Sequence, residues 1–361
     1  MMNWATQEQS DPEPLSVKAL LTEAYLAKAS DVHLNPGSAP LMRLNGKLTP
    51  IRLAVLRAED TVRMAKETLT GEQFDALVKK GEIDLAYALP GMCRYRANVY
   101  RQKRMVNLAF RVLSATVPPI DDLALPGFVK EFAVKQQGLV LVTGPTGSGK
   151  STTLASIIDY INTHQHKHII TLEDPIEYIH QSKRCLVAQR EIGTDTTTFS
   201  NGLRAALRQD PDVILVGEMR DLETIRTAIT AAETGHLVFA TLHTPDAPQT
   251  VDRIIDVFPT EQQRQIRIQL ASVLVAVLSQ RLIPKWDNSG RALAMEVLIN
   301  TPAIANLIRQ EKIYQIKSVL QTNRNLGMQT MMASIQELVD TGIVHKDALK
   351  EYATSIGEDI G

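Results

Sequence analysis

The sequence predicts an α/β protein in two parts, a small α+β domain followed by a parallel sheet covered by helices. Three observations predict it. A length of 361 residues is enough for roughly two domains. Four continuous apolar runs, at 139–142, 169–172, 213–216 and 237–241, alternate with helical stretches, as strands buried on both faces do. Ahead of them, short runs of alternating polarity mix with amphipathic helices and mark a domain of another kind.

The elements follow in order. Residues 1–14 are polar, carry Pro12 and Pro14, and read as a disordered lead-in. The first domain occupies 15–115. Apolar residues at helical spacing predict a helix over 17–29, and alternation predicts strands at 31–34 and 41–44, the second closed by the turn pair Asn45-Gly46. A single helix is expected over 58–79, then strands over 83–89, 94–100 and 106–112. Pro118, Pro119 and Pro126 place an interdomain linker at 116–127. The second domain fills 128–361; beyond about residue 260 its pattern is helical, with one strand candidate at 292–299.

Composition narrows the class. Lys plus Arg total 39 against 40 for Asp plus Glu, so no general nucleic-acid coat and no acidic tail is expected. Cys93 and Cys185 are too few for a disulfide framework or a four-cysteine zinc site. The N-terminus lacks the basic and apolar regions of a signal peptide. The most apolar stretch, 270–278, is about half what a bilayer span requires.

Gly144-Pro145-Thr146-Gly147-Ser148-Gly149-Lys150-Ser151 matches G-x-x-x-x-G-K-[ST] at every defined position. It follows a predicted strand and opens a predicted helix at Thr152 that runs to Asn162, the context this phosphate-binding loop requires. Glycines let the backbone N–H groups turn inward around a β-phosphate, where the helix N-terminus adds favourable charge. Lys150 then reaches the β- and γ-phosphates of ATP, and the Ser151 hydroxyl binds Mg²⁺.

Two carboxylates are expected at the same sheet edge. Glu173 and Glu218 each follow a predicted strand, and parallel sheets gather ligands at the strands' carboxyl ends. Gly217 stands where such loops usually carry Asp, leaving Glu218, with water, to serve the Mg²⁺ side; Asp212 lies at the strand's other end. Either glutamate is placed to polarise the attacking water, and Glu173 is the preferred general base. Asp174, before Pro175, reads as a turn cap, and Glu177 equally as a solvated carboxylate or a site acid. His236 opens the fourth strand and reads as structural, whereas His243 lies just past its end and is a candidate γ-phosphate sensor. No metal-ligating His/Cys set is spaced suitably. In the first domain Arg94, Arg96, Arg101, Arg104 and Arg111 crowd into 18 residues with Lys103. Such a cluster is a solvated face, a nucleic-acid patch, or a set of arginines acting on transition-state phosphate charge.

Taken together, these motifs resemble the type II and type IV pilus and secretion ATPases. The resemblance rests on the phosphate loop, Glu173-Asp-Pro-Ile-Glu177, Gly217-Glu-Met-Arg-Asp221 and Thr234-Gly-His236 followed by Thr241-Leu-His-Thr244. It covers some 85% of the chain, from about Ser30 to near Val339, and is closest to the PilT/PilU group, which powers pilus retraction. It implies a PAS-like N-terminal domain joined to a RecA-like P-loop core in a hexameric ring. ATP would lie between the two domains, with Arg96, Arg104 and Arg111 completing the site. It implies Glu173 as catalytic glutamate, Glu218 as the acid after the second strand, and His236 and His243 as a histidine box. It further implies ATP hydrolysis coupled to mechanical work on an inner-membrane platform protein, from a cytoplasmic position at the pilus base. A second retraction ATPase is an implied partner; nucleic acid is not.

The absence of a four-cysteine element favours retraction over the extension and type II secretion motors. The retraction signature Ala-Ile-Arg-Asn-Leu-Ile-Arg-Glu reads Ala303-Ile-Ala-Asn-Leu-Ile-Arg-Gln310, so Ala305 and Gln310 depart from it. An accessory PilU-like motor, or an assembly or secretion ATPase, is the alternative. Further from it stand a DNA-dependent RecA-like motor, disfavoured by the neutral charge and the lack of aromatics among the arginines, and a regulatory module with a vestigial site, disfavoured by the intact phosphate loop.

Overall fold

The computed structural model describes residues 15–44, 46–113, 116–287 and 289–356; the expected lead-in over 1–14 and Asn45 lie outside them. The chain divides into two compact units, Met1–Ala115 and Thr116–Gly361.

In the first unit, helix α1 (Val17–Leu26) precedes strands β1 (Asp31–Leu34), β2 (Leu41–Leu44) and β3 (Lys47–Pro50). Helices α2 (Ala58–Thr68) and α3 (Gly71–Lys80) follow, then β4 (Glu82–Leu89), β5 (Cys93–Gln102) and β6 (Met105–Leu113). The strands form one antiparallel sheet in the order β3-β2-β1-β6-β5-β4. Leu44 faces Lys47, and Gly46 between them has φ +82°. The expected single helix at 58–79 is broken: the Thr70 hydroxyl accepts from the Gln73 N–H while the Gln73 side chain accepts from the Thr70 N–H, so a new N-terminus starts there. Val17, Leu20, Leu21 and Ala24 bury the inner face of α1, and the Tyr95 hydroxyl on β5 donates to the Leu21 carbonyl at 2.8 Å.

The second unit opens with a short turn at Ile120–Leu123 and helix α4 (Val129–Ala133). Ile120 is buried in its core, and the Pro118 carbonyl accepts from Ser156 at 2.7 Å, so the proline-rich stretch is packed from Pro118 onward. Next come β7 (Gly138–Thr143), α5 (Lys150–His164), β8 (His168–Glu173), β9 (Leu186–Glu191), α6 (Phe199–Ala206), β10 (Val213–Val216), α7 (Leu222–Glu233) and β11 (Leu237–Leu242). The chain then forms α8 (Ala247–Asp256), α9 (Thr260–Val273), β12 (Leu274–Pro284), β13 (Arg291–Ile299), α10 (Pro302–Arg309), α11 (Ile316–Thr322), α12 (Met331–Asp340) and α13 (Asp347–Ser355).

The seven strands run in the order β13-β12-β7-β11-β10-β8-β9, all pairings parallel except β12–β13. β11 lies between the strand that leads into the phosphate loop and the acid-bearing strand, the arrangement of the expected RecA-like core. β7 and β11 are buried along their whole length by helices on both faces. β12 is a departure from the expected helical tail: its apolar residues pair with β7 through Leu139–Thr143. Short apolar runs fit a buried helix or a buried strand equally well, and here the open edge of β7 selects the strand. The strands β3 and β9 are further additions to the expected set. Ala305 is packed into the core beside Ile304 and Ile308. Buried Glu296 on β13 accepts from the Ala247 N–H at 2.8 Å and the Met331 N–H at 3.4 Å, tying the first turns of α8 and α12 together. No helix among the described residues is long and apolar enough to cross a membrane.

Candidate active site

The site is built at the carboxyl edge of the second unit's sheet. β7 ends at Thr143 and the chain turns through residues 144–149 into α5. Gly144, Gly147 and Gly149 have φ of +137°, +79° and +92°, conformations that favour glycine. A Cβ on Gly144 would strike the Gln280 carbonyl and the Ser148 hydroxyl, so the loop closes against β12 only with glycine there. Lys150 is 8% exposed and folds over the loop, donating to the Gly144 and Pro145 carbonyls at 2.8 and 3.0 Å. Burial lowers its pKa, and the nearby Glu218 and Glu177 carboxylates oppose that shift.

The loop fits a phosphate. Its Ser148 hydroxyl oxygen is buried and has no hydrogen-bond partner within the protein, and Lys150 brings positive charge to the glycine-lined turn at a helix N-terminus. Ser151 is exposed at the first turn of α5, and the Thr152 hydroxyl lies 2.9 Å from the Tyr178 hydroxyl. Pro145, Thr146 and Gly147 form the exposed crest. Arg291, at the start of β13, reaches the Gly147 carbonyl at 3.4 Å. Sequence reading missed Arg291 because only the β12–β13 hairpin brings it to the loop.

Glu173 ends β8 and Glu218 follows β10, two adjacent strands. Between them Gly217 donates its N–H to the Leu172 carbonyl at 2.7 Å. A Cβ on Gly217 would lie 3.0 Å from the Leu172 carbonyl oxygen and 3.3 Å from the Glu173 Cα, which explains why the acid stands one residue later. Gly217→Asp is therefore expected to cost about 1–3 kcal/mol by overpacking against β8. Thermal unfolding checks this, and turnover should fall with it because the same contact displaces Glu173.

The Glu218 carboxylate has the His243 Nε2 at 3.1 Å and the Arg220 guanidinium bonded to it. Glu173 Oε1 accepts from the Thr171 hydroxyl at 2.7 Å and from the Gln189 side-chain amide at 3.2 Å. Burial raises the Glu173 pKa; the Thr171, Gln189 and Glu177 N–H donors pull it down, and the Glu177 carboxylate adds to the rise. The Glu177 carboxylate thus lies close enough to act on both Lys150 and Glu173. Asp174 precedes Pro175 through a cis peptide bond. Asp212 sits at the far edge, accepting from the His168 N–H at 2.8 Å.

His236 lies at that far edge too. β11 runs parallel to β7 with Leu237 opposite Gly138, so His236 and the phosphate loop stand at opposite ends of the sheet. Its Nδ1 is 2.9 Å from the Ala231 carbonyl, where it caps the turn after α7. The second unit brings together Lys150, Ser151, Glu173, Glu218 and His243, but not His236.

The arginines belong to the first unit. Arg96 and Arg111 lie directly opposite each other on β5 and β6, and Arg111 lies opposite Asp31 on β1. Arg111 bonds Asp31 at 2.9 Å, while Arg96 is 3.9 Å from Asp84. Two guanidiniums facing across a ladder are unfavourable for the sheet by themselves. Arg104 is elsewhere. The β5–β6 hairpin closes at the pair Gln102–Met105, with exposed Lys103 and Arg104 at φ +50° and +66°. At about 3.3 Å per residue this tip is about 20 Å along the strand from Arg96. The three arginines thus form two separate cationic points.

Among the described residues no cluster of His, Cys, Asp and Glu forms a metal site of its own. A glycine-cradled phosphate loop with a buried lysine and two carboxylates on the neighbouring strands defines a P-loop nucleoside triphosphatase. Residues 6–353 match the family model described as type II/IV secretion system protein, and the chain belongs to that family. It is 45% identical over 339 residues to the type IV pilus retraction ATPase PilT of Pseudomonas aeruginosa, covering 94% of this chain and 98% of that one. With the type IV pilus ATPase PilU of the same organism it shares 39% over 321 residues, 89% of this chain and 84% of the other. The crystal structure of the pilus retraction motor PilT with bound ADP superposes with a TM-score of 0.87 at 45% identity, covering 93% of this chain and 96% of that one.

Proposed function

We propose that the chain is an ATP-hydrolysing motor of type IV pilus retraction, acting as a homohexamer on an inner-membrane platform protein from the cytoplasmic side of the pilus base. The observation that carries this reading is the 45% identity to a retraction ATPase across nearly the full length of both chains, with the phosphate loop intact. Lys150 and the loop N–H groups bind the β- and γ-phosphates and offset the charge that builds on the leaving group. Glu173 accepts the proton of the attacking water. Ser151 and Glu218 are the residues that would hold Mg²⁺, which supplies charge neutralisation on the phosphates when bound. His243, paired with Glu218, ties the end of β11 to the state of the site. The first-unit arginines complete the site, and the hinge between units falls ahead of Pro118, where packing into the second unit begins.

Deleting the gene in its host and imaging surface pili by fluorescence microscopy tests the assignment. Pili that accumulate and no longer retract are expected; loss of pili would mark an assembly motor instead. The departures at Ala305 and Gln310 favour, as second reading, an accessory motor working beside another retraction ATPase, and a deletion strain that retracts normally until load is applied would select it.

For the arginines, Arg104→Ala and Arg111→Ala are each expected to lower kcat by roughly 10²-fold while ATP binding changes little, because their work is on transition-state charge. Steady-state ATPase assays beside nucleotide titration measure both; normal hydrolysis by both variants would return the cluster to a solvated face.

A further inference from the structure

Glu173 is not held by its own loop alone. The amide of Gln189, on the neighbouring parallel strand β9, lies in register with Thr171. Its Nε2 donates to Glu173 Oε1 at 3.2 Å and to the Tyr178 carbonyl at 2.8 Å, and its Oε1 accepts from the His180 N–H at 2.7 Å. The backbone donor at His180 fixes which end of the amide points at Glu173. Both of its N–H groups and its oxygen are therefore engaged. Tyr178, one of the groups it holds, meets Thr152 on the helix that carries the phosphate loop.

We propose that Gln189 is a positioning residue for catalysis: it holds the Glu173 carboxylate ionised and aimed, and ties it through Tyr178 to the phosphate-binding helix. The inference rests on the reading of Glu173 as the general base. A carboxylate taken out of water keeps its charge only where donors replace the lost solvent. Around Glu173 two side-chain donors do so, Thr171 and Gln189. The ionisable neighbours are mixed in sign. Glu177 shares the loop, Asp174 is adjacent, and Glu191 lies opposite Glu173 on β9. Glu218 and Arg220 follow β10, and Lys150 opens α5. Of these carboxylates Glu191 is itself committed to the Ile176 N–H at 3.1 Å, bracing the same loop.

Removing the Nε2 donor should make Glu173 harder to ionise. Gln189→Glu keeps the acceptor for His180 and loses the donor, placing a second carboxyl against the first; Gln189→Met keeps the length and loses both. In the full-length enzyme, with ATP as substrate, the acid limb of the kcat–pH profile is expected to move up by about one unit or more in Gln189→Glu. At neutral pH kcat should fall at least about tenfold with KM for ATP within about twofold.

An unmoved acid limb in both variants, with unfolding temperatures near wild type, overturns the proposal. If Gln189→Met fails to fold, Gln189→Glu carries the test alone. Glu173→Gln run in parallel separates the two readings: inactive Glu173→Gln with unshifted Gln189 profiles removes only the role of Gln189. Active Glu173→Gln removes the general base and the positioning role together.

Discussion

Lys150→Ala is expected to abolish steady-state ATP hydrolysis, lowering turnover by roughly 10³-fold or more. The lysine is buried over the phosphate loop, bonded to two of the loop's own carbonyls, with the Glu218 and Glu177 carboxylates close by. Its loss leaves an anionic site facing an anionic substrate. Binding of ATP should weaken together with turnover, because the ammonium meets phosphate charge in the ground state and acts more strongly on the charge that builds in the transition state. Retention of near wild-type activity by the purified variant would remove the phosphate-loop assignment. Lys150→Arg is not a rescue: a planar guanidinium cannot reproduce a point charge held between the Gly144 and Pro145 carbonyls.

Glu173→Gln is the second large effect, a loss of roughly 10²–10⁴-fold in kcat with nucleotide binding preserved. The two variants thus separate by KM. The sign of the pH dependence follows from burial. Glu173 works as a base when ionised, and its pKa lies above the ordinary value of 4.5. Turnover by the wild-type enzyme should therefore fall, as pH is lowered, at a higher pH than an exposed glutamate would impose. A kcat–pH profile flat down to the ordinary carboxylate range would exclude Glu173 as the titrating base.

Much of this site was legible because its information is local. The phosphate loop announces itself in eight consecutive residues, and the apolar runs before Glu173, Glu218 and His243 set the strand polarity that gathers them at one edge. What failed was information carried across the chain. Within 270–278 helix α9 ends at Val273 and β12 starts at Leu274 with no glycine or proline to mark the change; the valines suit a strand, and the open edge of β7 fixes where it begins. β9 alternates weakly, with a mostly half-buried face, so neither it nor Gln189 stood out. Arg291 gains its place from a hairpin invisible to periodicity. Thr70-Gly71 was different: the capping signal was present in the sequence, and the helical spacing across it obscured the break. Arg96 and Arg111 face each other across one ladder while Arg104 sits at the hairpin tip, a separation set by strand register that the arginine spacing alone does not display.

The Lys103–Arg104 turn carries a consequence for directed evolution. Two-residue hairpin loops with both central φ values positive are best served by Asn-Gly, and bulky residues there cost about 1–2 kcal/mol each. A library randomised at these two positions and sorted by heat resistance should drift to Asn-Gly. The same library sorted by motility should keep the arginine at 104, so comparing the two winners would separate what the hairpin needs from what the motor needs.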